Sequence, residues 1–457
     1  MDKTNELGTK SVGKLLAQYS IPSVIAMLVN AIYNIVDRIF IGQFAGEEAL
    51  AGLTIAFPVM MILFAFASLI GAGGAALLSI NLGKKDIRET SHVFGNMMSV
   101  GLIITGLTVG TIYFNLETVL SIFGANASVM SFASDYMKII LYGFIFQMIS
   151  FNLSSAVRAE NQPILSMISM LASAITNIIL DAIFIVALGW GVKGAALATI
   201  SGQFVGLMIV LSFYLRGKSV LKLRLRDFIP AWRVYSKIIA IGFSTFISTI
   251  GSSIAMSFLN RGLVKYGGTA AITSMGAINS LYTLFIMPIM GIQQGMQPII
   301  GYNHGAKLRS RVYKTLKLGI LIGVIFSTVV FILLEIFPTT FISMFLDPTS
   351  STIPIAVTGL RIYMLMLPLL SINMFGIAFY QSTAKSGSAL ILGMLRQVIL
   401  LIPIVMVMQN LFGLIGVWAS VPISDFISIM ITVIALVVSY RREKSTGIEP
   451  AAETALA

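Results

Sequence analysis

Apolar positions along this chain form long blocks separated by short polar connections. A block of roughly 20 mostly apolar residues is long enough to cross a membrane as an α-helix. About twelve such blocks can be distinguished, near residues 16–42, 50–82, 92–114, 130–157, 163–188, 192–215, 237–262, 271–303, 316–338, 353–383, 387–410 and 413–440. The pattern predicts an all-α polytopic membrane protein with about twelve transmembrane helices.

The connections between the blocks alternate in charge. One set of connections, together with both ends of the chain, holds most of the 30 basic residues. The opposite set and the nearby helix ends hold only Lys138, Lys193, Arg261, Lys265 and Arg361. This alternation follows the positive-inside rule, so both termini are expected in the cytoplasm. The net charge of +12 is therefore a topology signal, and we expect no nucleic-acid partner, because the basic residues are spread over loops without interleaved aromatic residues.

A short signature occurs once in each half of the chain, at an offset of 222 positions from Gly73 to Gly295. The residues that recur at this offset are Gly73, Asn81, Gly83, Lys85, Gly191 and Gly194, which return as Gly295, Asn303, Gly305, Lys307, Gly413 and Gly416. Secondary transporters are often built from such internal repeats. We therefore expect two pseudo-symmetric six-helix bundles. The bundles are an N-lobe (residues 1–215) and a C-lobe (237–440). A basic cytoplasmic linker (216–236) joins them, and a disordered cytoplasmic tail (441–457) follows.

Composition excludes several other classes of protein. The chain is 57% hydrophobic and 11% charged, whereas soluble domains carry about 25% charged residues. Cysteine is absent and there are two histidines, so neither a disulfide framework nor thiolate chemistry is expected. The sequence contains no recognisable set of nucleophile, base and orienting group, and no phosphate-binding Gly-Lys-Ser/Thr loop. We expect neither an enzyme nor an ATP-driven pump, and no cofactor.

Five polar residues of the N-terminal half lie at a similar depth. Asp37 and Asp181 each precede the outer end of a predicted helix by about seven residues, roughly 10 Å at the helical rise. Thr199 lies about as deep, counted from the outer start of its helix. Asn34 and Asn177 precede the two acids by three and four residues and so share their helix faces. These side chains suit a Na⁺ site of oxygen ligands or a carboxylate that binds a proton.

The structural alternative is that Asp37 pairs with the adjacent Arg38 and that Asp181 bonds locally. An ionisable group at bilayer depth costs about 2.5–3.5 kcal/mol, so its presence needs a reason. The positions offset by 222 from the five polar residues are all apolar: Met256, Leu259, Ile399, Pro403 and Val421. If the polar residues only held the fold together, the second half would need them too. We therefore favour ion coupling in the N-terminal half.

The C-terminal half also carries polar groups at membrane depth. Arg396 and Asp425 lie near the middle of the eleventh and twelfth segments, where they form either a structural pair or part of a substrate cavity that attracts cations. Gln293 and Gln297 share one helix face in the eighth segment. They either line the cavity or hold neighbouring helices together.

Several stretches resemble one family of transporters. Residues 295–306 (GMQPIIGYNHGA) resemble the second-repeat signature of multidrug and toxic compound extrusion (MATE) transporters. Residues 49–52 (ALAG) and 81–83 (NLG) resemble the first-repeat signature, and residues 177–181 (NIILD) and 194–199 (GAALAT) resemble the fifth and sixth helices. The resemblance covers almost the whole chain and is greatest to the bacterial DinF-like branch, near its MepA-type exporters.

The resemblance implies a V-shaped bundle of six plus six helices around a central cavity. Family members export amphipathic, often cationic compounds in exchange for Na⁺ or H⁺. Their N-lobe cation site maps onto Asp37, Asn177, Asp181 and Thr199. Arg38 departs from the family pattern and leaves the choice between Na⁺ and H⁺ open. The expected partners are small-molecule drugs or toxic metabolites and the lipid bilayer, with a monomer in the bacterial plasma membrane.

Two other functions stay open at this point. A flippase for lipid-linked glycans or precursors shares a similar bundle, but an anionic pyrophosphate calls for basic residues that face the cavity. A non-transporting membrane scaffold would not need buried acids in one half alone.

Overall fold

The computed structural model describes residues 5–127, 129–221 and 224–445. Helices dominate this part of the chain and it contains no strand, so the predicted all-α class is confirmed. The last helix continues to Ser445, five residues into the segment predicted to be a disordered tail. The rest of that predicted tail (446–457) and two positions of the predicted linker (222–223) lie outside the described residues.

The N-terminal half consists of helices joined by short turns. They are α1 (Glu6–Thr9), α2 (Val12–Phe40), α3 (Glu47–Gly83), α4 (Ile87–Phe114), α5 (Leu116–Ile122), α6 (Met130–Ala159), α7 (Pro163–Asp181) and α8 (Gly191–Leu215). π-Helical segments extend α2 over Ile41–Ala45 and α7 over Ala182–Ala187. Asp86 caps α4 by accepting a hydrogen bond from the backbone N–H of Glu89 at 2.9 Å, which satisfies one of the free donors of the first turn.

The C-terminal half begins with a 3₁₀ turn at Leu225–Phe228. Its helices are α9 (Trp232–Gly305), α10 (Arg309–Ile336), α11 (Pro338–Ile342), α12 (Ile353–Tyr363), α13 (Leu367–Ser382), α14 (Ser386–Met394) and α15 (Ile402–Ser445). A π-helical segment, Leu395–Leu401, joins α14 to α15. Gly268 breaks α9 and Gly413 breaks α15, each with left-handed backbone angles. We call residues 232–267 and 269–305 the first and second arms of α9.

The described helices supply the crossings that the apolar blocks predicted. Nine helical segments are long and apolar enough to cross a membrane. Two of them, Trp232–Gly305 with 74 residues and Ser386–Lys444 with 59, are each divided by their glycine into two crossings. Helices α12 and α13 meet at a bend of 47° and together make one more. The described part of the chain therefore accounts for twelve crossings.

The two halves turn at corresponding positions. Three pairs of residues with positive φ are separated by the same 222 positions: Gly46 and Gly268, Lys85 and Lys307, and Gly191 and Gly413. Each lies at a helix end, and left-handed angles are most easily adopted by glycine. Two of the recurring positions, Lys85 with Lys307 and Gly191 with Gly413, therefore mark helix ends in both halves.

Helices α3 and α9 pack against each other where the two halves meet. A Cβ atom on Gly83 would collide with the carbonyl oxygen of Tyr302, and one on Gly305 would collide with that of Ile80. Residues 80 and 83 correspond to 302 and 305 at the offset of 222, so these two contacts are symmetric counterparts. Only residues without side chains permit this approach of two backbones.

A second pair of contacts continues this interface. A Cβ atom on Gly73 would meet the backbone of Ile238 and Gly242, and one on Gly295 would lie 2.8 Å from the backbone nitrogen of Ser20. We call Gly73, Gly83, Gly295 and Gly305 the glycine seam. The seam lies on the half of each helix that is near Lys85 or Lys307, and it closes that end of the interface.

The chain start also crosses the interface. The backbone carbonyl of Leu7, a residue with no exposed surface, accepts hydrogen bonds from Asn303 Nδ2 and Arg311 Nη2, each at 3.0 Å. On the other side, Glu6 Oε2 accepts one from Asn161 Nδ2 at 3.2 Å, in the turn after α6. We call residues 5–10 the amino-terminal strap, because they join both halves.

Candidate functional site

Two acidic side chains are buried at helix ends in the N-terminal half. Asp37 lies three residues before the end of α2, and Asp181 is the last residue of α7. Their exposed fractions are 8% and 0%. In both helices a π-helical segment follows closely. π-Helical turns are rare and occur frequently at functional sites.

Neighbouring polar groups complete this cluster. Asn177 Nδ2 donates to Thr199 Oγ1 at 3.4 Å, across α7 and α8. The carboxylates of Asp37 and Asp181 are within electrostatic reach of each other. We call Asp37, Asn177, Asp181 and Thr199 the acidic cluster. The structure thus brings together the four residues on which the predicted coupling site is centred.

Several hydrogen-bond acceptors of the acidic cluster are unpaired. Asp37 Oδ1, Asn177 Oδ1 and both carboxylate oxygens of Asp181 are buried without a hydrogen-bond partner among the described residues. A buried, unpaired carboxylate costs several kcal/mol if it stays ionised. Either a proton or a cation held by these oxygens would remove that cost. The donor set therefore fits both of the predicted coupling ions.

The structural alternative for Asp37 is not supported by the geometry. The Arg38 guanidinium lies over the ring of Phe57, 5.0 Å from its centre, and no ion pair of the described residues involves Asp37. Arg38 therefore packs on Phe57 of α3 and forms no ion pair with Asp37.

Asn34 is not drawn into the cluster. Its side chain is exposed, and its Nδ2 donates to the backbone carbonyl of Asn30 at 2.7 Å. Tyr33, the residue before it, is four positions from Asp37. It lines a small cavity with Asn177 and Thr199. The free space in this cavity is about 10 Å³, close to that of one water molecule.

Two further residues of the site escaped the sequence analysis. Gln203 lines the same small cavity and follows Thr199 by four residues, so helical spacing could have indicated it. Tyr136, a residue only 1% exposed, lies close to Thr199. No spacing rule points to Tyr136, because it belongs to a different helix, α6.

A larger cleft of about 150 Å³ lies between α3 and the first arm of α9. Thr249, Ser253 and Ser257 line it at intervals of four residues, and so share one face of the arm. The other lining residues are Pro58, Met61, Ile62, Phe123, Ile250 and Ile254. All nine side chains are uncharged. The sequence analysis did not select this face, although the spaced hydroxyls were a usable signal.

The residues predicted for the substrate cavity hold helices together instead of lining this cleft. Arg396 Nε lies 2.6 Å from Asp425 Oδ1, and its Nη2 donates to the Tyr282 hydroxyl at 3.3 Å. Gln293 Nε2 donates to the carbonyl of Met374 at 3.4 Å, and Gln297 Nε2 to Gln381 Oε1 at 3.3 Å. These contacts join the second arm of α9 to α13, and α15 to the π-helical segment before it.

Comparisons with known proteins agree with this architecture. A sequence model of the MatE family matches residues 22–183 and 240–407. The multidrug export protein MepA of Staphylococcus haemolyticus (strain JCSC1435) is 31% identical over 425 residues, which cover 91% of this chain and 91% of that protein. MepA of Staphylococcus saprophyticus is 29% identical over 422 residues, covering 91% of this chain and 92% of that protein. A multidrug resistance MATE family transporter of the MOP superfamily, solved in an outward-facing conformation, has a TM-score of 0.90 at 24% identity and covers 96% of this chain and 98% of its own.

Proposed function

Because the chain belongs to the MatE family, whose relatives are transporters and not enzymes, we propose that it is a secondary active multidrug efflux antiporter. It exports amphipathic, often cationic compounds in exchange for H⁺ or Na⁺ by alternating access. The observation that carries this proposal is the acidic cluster, in which Asp37 and Asp181 are buried with oxygen atoms that have no partner.

The acidic cluster acts as the coupling site. When Asp37 and Asp181 are both ionised they repel each other in a poorly solvated environment. A proton or Na⁺ that enters from the outer side neutralises them and favours the helix arrangement that keeps them buried. Since a ligand shifts a conformational equilibrium by its difference in affinity for the two states, the ion supplies the driving force for the transition. Asn177 and Thr199 orient the cluster and offer further oxygen ligands.

The interface between the halves supports alternating access. The glycine seam closes the end of the interface that carries Lys85 and Lys307. At the cleft, in contrast, Ser253 and Ser257 of the first arm of α9 are exposed. The positive-inside rule favours a cytoplasmic position for the closed end, which carries basic loops, and for both termini. On this assignment the cleft opens outward, and the protein functions as a monomer in the bacterial plasma membrane.

The lining of the cleft supports amphipathic substrates. Its apolar residues, such as Met61 and Phe123, can cover the hydrophobic part of a compound. The hydroxyl oxygens of Thr249, Ser253 and Ser257 can accept hydrogen bonds from an ammonium group. Flexible methionine side chains accommodate compounds of different shapes.

The two alternatives receive less support. A lipid-linked pyrophosphate would need cationic side chains to bind its charge, but the nine residues that line the cleft are uncharged, and Arg396 is paired with Asp425. A scaffold without transport activity gains nothing from the unpaired acids of the acidic cluster. Both alternatives remain outcomes of the experiment below.

Transport by the purified protein in liposomes tests the proposal. A Na⁺ gradient and a pH gradient are imposed separately, and the efflux of a fluorescent amphipathic cation is recorded. We expect one gradient to drive transport and Asp37→Asn or Asp181→Asn to abolish it. Asp135→Asn is the matched control, because Asp135 is partly exposed and pairs with Lys193 at 3.2 Å on the surface.

Each alternative gives a different result. Full transport by both cluster variants would contradict the role of the acidic cluster. Wild-type protein that moves no cation under either gradient, but restores growth of a flippase-deficient strain, would establish the flippase. Inactivity in both assays would favour the scaffold.

A further inference from the structure

Three large apolar side chains stand out from the connection between the lobes. Leu225 and Ile229 lie in and just after the 3₁₀ turn, and Trp232 starts α9. Their exposed fractions are 92%, 62% and 78%. Such exposure on a polar connection is unfavourable in water and needs a partner.

The backbone that carries these side chains is fixed in place. Asn96 of α4, a residue with no exposed surface, donates from Nδ2 to the carbonyl of Asp227 at 3.0 Å and accepts from the N–H of Ala231 at 2.8 Å. Asp227 Oδ2 in turn accepts from the N–H of Arg224 at 2.9 Å. The turn is therefore held against α4, and its apolar side chains are directed away from the protein by a rigid support.

The position of this turn along α4 corresponds to the membrane surface. The exposed apolar face of α4 starts at Leu102, six residues after Asn96, which is about 9 Å along the helix axis. The hydrocarbon core of a bilayer is about 30 Å thick, and headgroups bring the total to about 40–45 Å. A turn docked at Asn96 thus lies within or next to the headgroup layer, where tryptophan is enriched in membrane proteins.

Basic side chains alternate with the apolar ones. Arg224, Arg226 and Arg233 are exposed on the same short stretch. Anionic lipids of the cytoplasmic leaflet attract such residues when they lie close to the surface. A combination of arginine, leucine and tryptophan is typical of segments that lie in the membrane interface.

We propose that residues 224–233 form an interfacial anchor, in which Leu225, Ile229 and Trp232 enter the cytoplasmic leaflet and the arginines bind anionic phospholipid headgroups. The anchor joins α4 of the N-lobe to the first arm of α9 and so sets the depth of both at this surface. The inference rests on the cytoplasmic orientation proposed above, but not on the substrate or the coupling ion.

Site-specific fluorescence tests the anchor, because the chain has no cysteine of its own. Leu225→Cys in the full chain is labelled with an environment-sensitive fluorophore and reconstituted in phosphatidylcholine vesicles, with or without phosphatidylglycerol. We expect brominated acyl chains to quench this label and aqueous iodide to leave it largely unquenched. Glu89→Cys is the matched control, since Glu89 is exposed on α4 about 10 Å further from the membrane, and its label should show the reverse.

A second set of variants tests whether the arginines bind anionic headgroups. Replacing Arg224, Arg226 and Arg233 together with Gln should remove the additional quenching caused by phosphatidylglycerol and retain that in phosphatidylcholine alone. Inorganic phosphate should not compete; if it abolished the phosphatidylglycerol effect, the arginines would form a site for free phosphate and the headgroup assignment would be wrong.

Two results would overturn the proposal. If iodide quenched the Leu225→Cys label as strongly as the Glu89→Cys label, the side chain at position 225 would lie in water. Protection from both quenchers would place it under a protein surface. Loss of ion-coupled transport with normal lipid quenching would refute the proposed function and leave the anchor standing.

Discussion

A single methyl group at the glycine seam should shift the protein towards its inward-open state. In Gly305→Ala, the new Cβ would collide with the carbonyl oxygen of Ile80 and lie 2.8 Å from its carbonyl carbon, whereas ordinary contacts are 3.4–4 Å. The second arm of α9 and α3 would therefore have to separate by roughly 0.6 Å or more. Overpacking of this kind costs about 1–3 kcal/mol.

Under the proposed alternating access, the two helices separate at the seam when the cytoplasmic side opens, so the cost applies to the closed seam alone. It should therefore change the ratio of the two states by roughly 5- to 150-fold. Ser79, which is 2% exposed and faces Gly301 across the seam, can be replaced by cysteine in this cysteine-free chain. We expect Gly305→Ala to raise the rate at which this cysteine reacts with N-ethylmaleimide.

Gly276→Ala provides the matched control, since Gly276 lies in the same arm of α9 and an added Cβ there would have nothing within 4 Å. The control should react at the wild-type rate. Both glycine variants need to elute as monodisperse protein for the comparison to hold. Equal reactivity of Gly305→Ala and Gly276→Ala in folded protein would refute the assignment of the seam as a closed gate.

Three further predictions concern other contacts. Truncating Arg396 or Asp425 alone to an apolar residue should destabilise the protein by about 3–5 kcal/mol, because the partner stays buried without its counter-charge. In thermal unfolding, the double apolar variant should recover most of the stability that either single variant loses. Arg311→Gln should weaken the contacts between the strap and α10, where each hydrogen bond to the charged group contributes about 1.5–3 kcal/mol to stability. Trypsin should then cleave within the strap faster than in the wild type, and unchanged cleavage would contradict this. Ser253→Phe should fill much of the cleft and lower transport by about tenfold, an order-of-magnitude expectation for a misfitted pocket, whereas Ser252→Phe, one position away and outside the lining, should be close to wild type in the liposome assay.

Features that depend on one helix at a time could be predicted from the sequence. The crossings follow from the apolar blocks, and the correspondence of the two halves follows from the recurring glycines and lysines. The position of Asp37 and Asp181 near the ends of their helices follows from counting residues along each apolar block. The comparison of the two halves also selected these acids, since their counterparts are Leu259 and Pro403.

Features that depend on how helices face each other could not be predicted. Asn34 and Tyr33 are both spaced suitably for the face of Asp37, but only the tyrosine lines the small cavity. From the sequence, Gln293 could have faced the cleft or a neighbouring helix; in the structure it donates a hydrogen bond to α13. Arg396 and Asp425 are 29 positions apart, so their contact required the relative placement of two helices.

The paired contacts of Gly83 with Tyr302 and of Gly305 with Ile80 have the form of an isologous interface, in which the same patch is used on both partners of a symmetric dimer. In a homodimer every substitution occurs twice, once on each side of the axis. In this chain the two partners are fused, and a substitution occurs once. One side could therefore acquire two buried acids while the other kept Leu259 and Pro403 at the same places, an asymmetry that two identical subunits could not have encoded.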